Sequence, residues 1–129
     1  MPSFKPAYLI HGDDHGRIAE RRARLRGLAE AESGVQGIEL FENDAATPEA
    51  VTSALNALTF ALGRRFIIVD GAERWTDKQM EPLEAALKDI PPDTTVAFFA
   101  REDGRAKAPS RLHDAVKKAG GDISAEQSV

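Results

Sequence analysis

The segment GDDHGRIA, residues 12 to 19, concentrates glycine, acidic and basic residues directly after the first apolar run of the chain. Two glycines between a strand and a helix are typical of phosphate-binding loops. Their pattern G-x-x-x-x-G-K-[ST] supplies backbone amides, a lysine for the phosphate oxygens and a hydroxyl for magnesium. Here the two glycines are one residue too close, Arg17 follows them, and Ile18 stands where the pattern ends. Asp13 and Asp14 would also place negative charge where phosphate has to lie.

The sequence therefore predicts an acidic cap at a strand-to-helix turn, and no ATP binding. We call this segment the degenerate phosphate loop, and its residues are Gly12, Asp13, Asp14, Gly16 and Arg17.

A second candidate is Asp70, at the end of the apolar run FIIVD. An apolar strand ending in aspartate has the outline of the magnesium-holding strand of P-loop NTPases, but Gly71 stands where an ATPase carries its catalytic acid. We interpret Asp70 as a cap of the next turn. Asp13, Asp14 and Asp70 could also form a phosphoacceptor receiver site, but the lysine expected after the fifth strand is absent from ISAEQSV. A small phosphate-handling domain, receiver-like or NTPase-like, remains the alternative function.

The three histidines, His11, His15 and His113, are scattered along the chain. The only grouping that could indicate a metal is His15 near Asp13 and Asp14, and no glutamate or second histidine stands at ligand spacing. The sequence thus predicts no metal site and offers no catalytic residue. The arginines of RIAERRARLR are interpreted as the solvated face of a helix.

Five apolar runs predict strands, and four stretches of helical period separate them. The predicted strands are residues 7–11, 37–41, 65–70, 94–100 and 121–124. The first predicted helix covers about 16–30, with Ile18, Leu25, Leu28 and Ala29 on one side. The second follows the cap Thr47, with Val51, Ala54, Leu55 and Leu58 at helical spacing. The third starts near Pro82 and the fourth at the candidate cap Ser110.

Strict alternation of strand and helix predicts an α/β fold of three layers, αβα, around a mostly parallel five-stranded sheet. Strands one, three and four are apolar on both faces, so we expect them in the centre, whereas Glu39 suits the second strand to an edge. The 129 residues suit a single domain.

Composition narrows the function classes. The absence of cysteine excludes disulfides and favours a reducing compartment, and a formal charge of −4 argues against binding nucleic acid by bulk attraction. Nowhere do eighteen apolar residues run together, as a membrane span would need.

Four stretches in this order, YLIHGDD, LTFALGRRFIIVDGAERW, IPPDTTVAFFA and LHDAVKKAGG, resemble the N-terminal domain of the delta subunit of bacterial DNA polymerase III clamp loaders. The similarity spans nearly the whole chain and is specific in combination. It implies an AAA+-like domain, residues 1–129, that has lost nucleotide binding, in agreement with the degenerate phosphate loop. Two further domains normally follow in this family, so the chain resembles a fragment of a longer subunit.

The resemblance also implies a function without catalysis and without a cofactor: binding and opening the β sliding clamp during DNA replication. The implied partners are that clamp and the gamma/tau and delta prime loader subunits, with DNA contacted mainly through the complex, in a cytoplasmic, nucleoid-associated replisome. Apolar residues before the third strand bind the clamp in this family, which assigns that role to Phe60, Ala61 and Leu62. Arg64 and Arg65 either flank the contact or open the strand. The other interpretation of Phe60 and Leu62 is that they belong to the core.

Overall fold

A computed structural model describes residues 3–57 and 63–128 of the chain, and these residues form a five-stranded sheet with helices on both faces. The strands are β1 (Ala7–Gly12), β2 (Ile38–Phe41), β3 (Arg65–Asp70), β4 (Thr94–Arg101) and β5 (Asp122–Ala125). The helices are α1 (His15–Ser33), α2 (Pro48–Asn56), α3 (Glu81–Leu87) and α4 (Ser110–Lys118). The predicted elements are all present, with ends shifted by a few residues.

The strand order is β2-β3-β4-β1-β5, and all four pairings are parallel. The central strands are therefore β3, β4 and β1, as the apolar runs predict. All six residues of β3 are buried, because helices cover both faces there, whereas β2 at the edge keeps Leu40 exposed and Glu39 half-buried. The prediction that the second strand lies outside is confirmed.

Two apolar cores lie on opposite faces of the sheet. The larger core joins the sheet to α2, α3 and α4, and the smaller one joins it to α1 through Ile10, Ile18, Ile68 and Phe99. Side chains alternate between the faces of a strand, so Leu9 and His11 point to the α2–α4 face, and Ile68 and Asp70 to the α1 face. The face to which a candidate site residue points therefore determines which helix its side chain contacts.

Helix α2 begins as predicted. The Thr47 side chain accepts a hydrogen bond from the Ala50 N–H at 3.1 Å, and Pro48 occupies the first turn, where its missing N–H costs nothing. The helix ends at Asn56, and the predicted inward residue Leu58 lies outside the described residues.

Two predictions about helices are wrong. Ser110 does not cap α4, because Pro109 occupies the capping position and Ser110 is already the first helical residue. Leu28 is not inward, since 41% of its surface is exposed beside an open groove that Phe4 and Tyr8 also line. Of the described helices only α1 covers this face, so its flanks stay open. No helix in the described part of the chain has the length and apolar character needed to cross a bilayer.

Candidate functional site

The turn between β1 and α1 is capped by its own acidic residue. One carboxylate oxygen of Asp14 accepts the Arg17 N–H at 3.2 Å, and the Asp14 carbonyl accepts the Ile18 N–H at 3.1 Å. Backbone amides at a helix start are the groups that hold phosphate in a working loop. Two of them are satisfied here within the turn, so the predicted acidic cap is confirmed.

Residues 126–128 lie across the same turn, which the sequence did not indicate. The Glu126 N–H donates to the His11 carbonyl at 2.7 Å, and the Glu126 carbonyl accepts the Asp14 N–H at 3.1 Å. Ser128 donates to the Asp13 carboxylate from its backbone at 2.7 Å and from its hydroxyl at 3.1 Å. The backbone bond from Ser128, more than any other contact, lowers the pKa of Asp13.

Gly12 shows how closely residues 126–128 pack against the β1–α1 turn. Its φ is +141°, and a Cβ built on it would lie 2.0 Å from the Glu126 carbonyl oxygen. Only glycine tolerates both this backbone conformation and this approach. The glycine thus makes room for the protein's own backbone, in the place where a phosphate loop makes room for a nucleotide.

Two arginines at the start of α1 also form ion pairs with Glu126. Arg17 Nε lies 3.0 Å from one carboxylate oxygen of Glu126, and Arg21 Nη1 lies 2.6 Å from the other. Arg17, which follows the second glycine as the phosphate-binding lysine does in a working loop, is therefore directed to an internal carboxylate.

Asp70 does not cap the turn after β3, which corrects the sequence prediction. The turn opens instead with Gly71 at φ +115° and has no side-chain cap. Asp70 faces α1, where one of its oxygens lies 3.1 Å from Arg22 Nη1 and 3.5 Å from Arg101 Nη2. Arg22 also binds Glu42 at 2.8 Å. These pairs neutralise a carboxylate that an NTPase would keep for magnesium.

In the structure, the three acidic residues of the receiver alternative each bind a different protein group. Asp13 binds Ser128 and Asp14 caps α1, whereas Asp70 binds the two arginines. Among residues 3–57 and 63–128, the single group of three or more potential metal ligands lies elsewhere, at His11, Glu102 and His113.

The histidines are scattered along the chain but not in space, so the prediction that only His15 belongs to a grouping that could indicate a metal is wrong. All three gather around Glu102, the residue after β4. His11 Nδ1 lies 2.9 Å from the Glu102 carboxylate, His15 Nε2 lies 2.8 Å from its backbone carbonyl, and the His113 ring stacks edge-on to His11 at 4.6 Å. Burial, and then the neighbouring His11, lower the pKa of His113.

The residues assigned to clamp binding, Phe60, Ala61 and Leu62, lie outside the described residues. The described residues at the ends of this connection are Asn56, the last residue of α2, Ala57 after it and Gly63 before β3, and all three are exposed. They lie at the amino end of β3, whereas the degenerate phosphate loop follows the carboxyl end of β1, so the two lie at opposite ends of the parallel strands.

The two arginines after this connection differ in their surroundings. Arg64 is half-buried; its Nη1 donates to the Thr95 hydroxyl at 3.0 Å, and its guanidinium lies 5.9 Å from the centre of the Phe4 ring. Arg65 is only 6% exposed and forms a two-pronged ion pair with Glu39 of β2. Arg65 is the first residue of β3, and its guanidinium is directed to Glu39.

Comparison with known proteins finds similarity in structure. The Bacillus subtilis DNA clamp loader delta protein superposes on 98% of this chain with a TM-score of 0.65 and 18% sequence identity. A DNA polymerase III gamma subunit-related protein from Thermotoga maritima superposes on 98% with a TM-score of 0.61 and 16% identity.

This chain covers 39% and 42% of the lengths of those two chains, about two fifths in each case. No protein-family model and no curated sequence matches it. The chain has a three-layer αβα fold with a five-stranded parallel sheet, and it shares this fold with the two proteins named above.

Proposed function

We propose that this chain is an AAA+-like domain of a delta-type clamp-loader subunit, which binds and opens the β sliding clamp without hydrolysing ATP. The observation that carries the proposal is the closed β1–α1 turn: the Glu126 carbonyl sits against Gly12 in a fold shared with clamp-loader proteins. A domain of this fold whose β1–α1 turn is closed to phosphate would contribute to a loader through its protein surfaces. The domain belongs to a longer subunit in this proposal.

The clamp-binding surface in this proposal is the connection 58–62, with Phe60 and Leu62 as anchors. Support comes from its sequence, since large apolar residues stand in a connection where polar residues are usual. The described residues on either side of the connection, Ala57 and Gly63, are both exposed. Arg64, only half-buried, is the charged residue available beside it.

The remaining partners follow from the same proposal. The gamma/tau and delta prime loader subunits would assemble with this domain, and DNA would be contacted mainly through the complex. The acidic balance of the chain, −4, agrees with protein partners rather than with direct attraction to DNA.

The test is a paired measurement of clamp affinity and thermal midpoint on Phe60→Ala and Leu62→Ala. Truncating a central apolar anchor commonly costs about 2 kcal/mol of binding, which weakens affinity about thirtyfold. We expect that loss with an unchanged midpoint. The matched control is Leu40→Ala, which removes an exposed leucine of the edge strand β2 and should leave clamp affinity unchanged.

The core interpretation predicts the reverse. A buried Phe60 or Leu62 would leave a cavity on truncation and destabilise the domain by about 2–5 kcal/mol. A large fall in midpoint with wild-type clamp affinity for both variants would therefore refute the proposed surface. No measurable affinity of the wild-type chain for the sliding clamp would refute the proposed function itself.

A further inference from the structure

Three side chains that can bind metals converge at the carboxyl end of the sheet from three separate elements. His11 belongs to β1, Glu102 follows β4, and His113 belongs to α4. Their ligand atoms all lie within 4.8 Å of one another, and the side chains of His11 and Glu102 are only 15% and 11% exposed. We call these three residues the histidine–glutamate cluster.

The separations are close to those of a coordination shell. Tetrahedral zinc with nitrogen and oxygen ligands at about 2.0–2.2 Å keeps its ligand atoms about 3.3–3.5 Å apart. His11 Nδ1 and the Glu102 carboxylate oxygen, now 2.9 Å apart, would separate slightly. The widest spacing in the cluster, 4.8 Å, would have to close by about 1.4 Å, the scale of a side-chain rotation.

Glu102 is held in place by bonds that do not involve the cluster's ligand atoms. Its N–H donates to the Gly12 carbonyl at 2.7 Å, and its backbone carbonyl accepts from His15 at 2.8 Å. Its second carboxylate oxygen accepts the Ala108 N–H at 2.9 Å. Outer bonds of this kind orient the ligands of metal centres, and here they aim one carboxylate oxygen at His11.

We propose that the histidine–glutamate cluster binds one divalent transition-metal ion, in the first place Zn²⁺. Two imidazoles and one carboxylate suit zinc, cobalt, nickel or copper, whereas magnesium and calcium prefer ligand sets built of oxygen. Three protein ligands leave a fourth position for water. His11 Nδ1 must bind in its deprotonated form, so its ring carries its proton on Nε2. Such an ion would join β1, the end of β4 and α4.

The experiment titrates the untagged, chelator-treated chain with ZnSO₄ in a calorimeter and with CoCl₂ in an absorption spectrometer. We expect one ion per chain, visible ligand-field bands with cobalt, a higher thermal midpoint in excess zinc, and no heat with MgCl₂. The test variants are His113→Gln and Glu102→Gln, which keep the side-chain size and, at position 102, an acceptor for Ala108. Removing an outer-shell partner already costs about 10–100-fold in affinity, so loss of a ligand should raise the zinc Kd at least tenfold.

The matched control is Glu30→Gln, which makes the same exchange as Glu102→Gln at an exposed glutamate of α1 outside the cluster, and its zinc Kd should stay within about twofold of wild type. Circular dichroism without metal establishes whether each variant is folded. If a cluster variant is unfolded, His113→Ala is measured in its place. Absence of saturable zinc binding by the wild-type chain overturns the proposal. So does binding that both cluster variants retain at wild-type affinity. The proposal is independent of clamp binding, so either can fail alone.

Discussion

The ion pair between Arg65 and Glu39 gives a prediction whose size follows from the asymmetry of its burial. The side chain of Arg65 is 8% exposed and that of Glu39 is 39% exposed. Replacing Glu39 with glutamine leaves a nearly buried guanidinium without its counter-charge. Nη1 of that guanidinium already has no hydrogen-bond partner among the described residues.

Breaking a buried ion pair by removing one partner costs about 3–5 kcal/mol. Because Glu39 is more than a third exposed, water reaches this end of the pair, and we reduce the expected loss for Glu39→Gln to about 2 kcal/mol. For a chain of this length that corresponds to a fall in thermal midpoint of roughly 6–10 °C. Arg65→Met should cost less, because the carboxylate it leaves behind is the more solvated partner.

The assay is thermal and urea unfolding of Glu39→Gln, Arg65→Met and the double variant. The control is Glu30→Gln, which breaks the exposed pair with Arg26 within α1 and should cost at most about 0.5 kcal/mol. If Glu39→Gln is no more destabilising than Glu30→Gln, or less destabilising than Arg65→Met, the reasoning from burial is wrong.

Two further predictions concern binding and pH. Calorimetry with ATP and magnesium should show no saturable heat, because Asp13, Asp14 and the backbone of Glu126 occupy the turn where phosphate would bind; a micromolar isotherm would contradict this. Burial lowers the pKa of His113 in the folded chain, so the unfolded chain takes up that proton more readily. The free energy of unfolding should therefore be fully retained above about pH 6.5 and decrease as the pH falls below it, and His113→Gln should lessen that decrease in urea unfolding followed across pH.

The sequence predicts the elements and their layering because the apolar pattern reports burial directly. Continuous apolar runs identified the central strands, and Glu39 identified an edge. The pattern is weaker where burial depends on neighbours. Helical spacing places Leu28 on the apolar side of α1, but it does not tell how much of that side the sheet covers.

Side-chain partners that are distant in sequence were the part that could not be predicted. His11 and His113 are far apart along the chain, and they meet because β1 pairs with β4 and α4 packs on β1. Asp70 was interpreted as a cap from its place at the end of a strand, but strand alternation directs it to α1 and Arg22. The acidic cap Asp14 was predictable because its partner lies three residues away.

The contact between Gly12 and Glu126 also bears on how this domain could change over time. Writing lysine and threonine into positions 17 and 18 would supply the side chains of a nucleotide site, but residues 126–128 would still cover it. Building such a site would require detaching residues 126–128 from the end of β1 as well as altering the loop. Because those segments are more than a hundred residues apart, no single substitution would accomplish both changes.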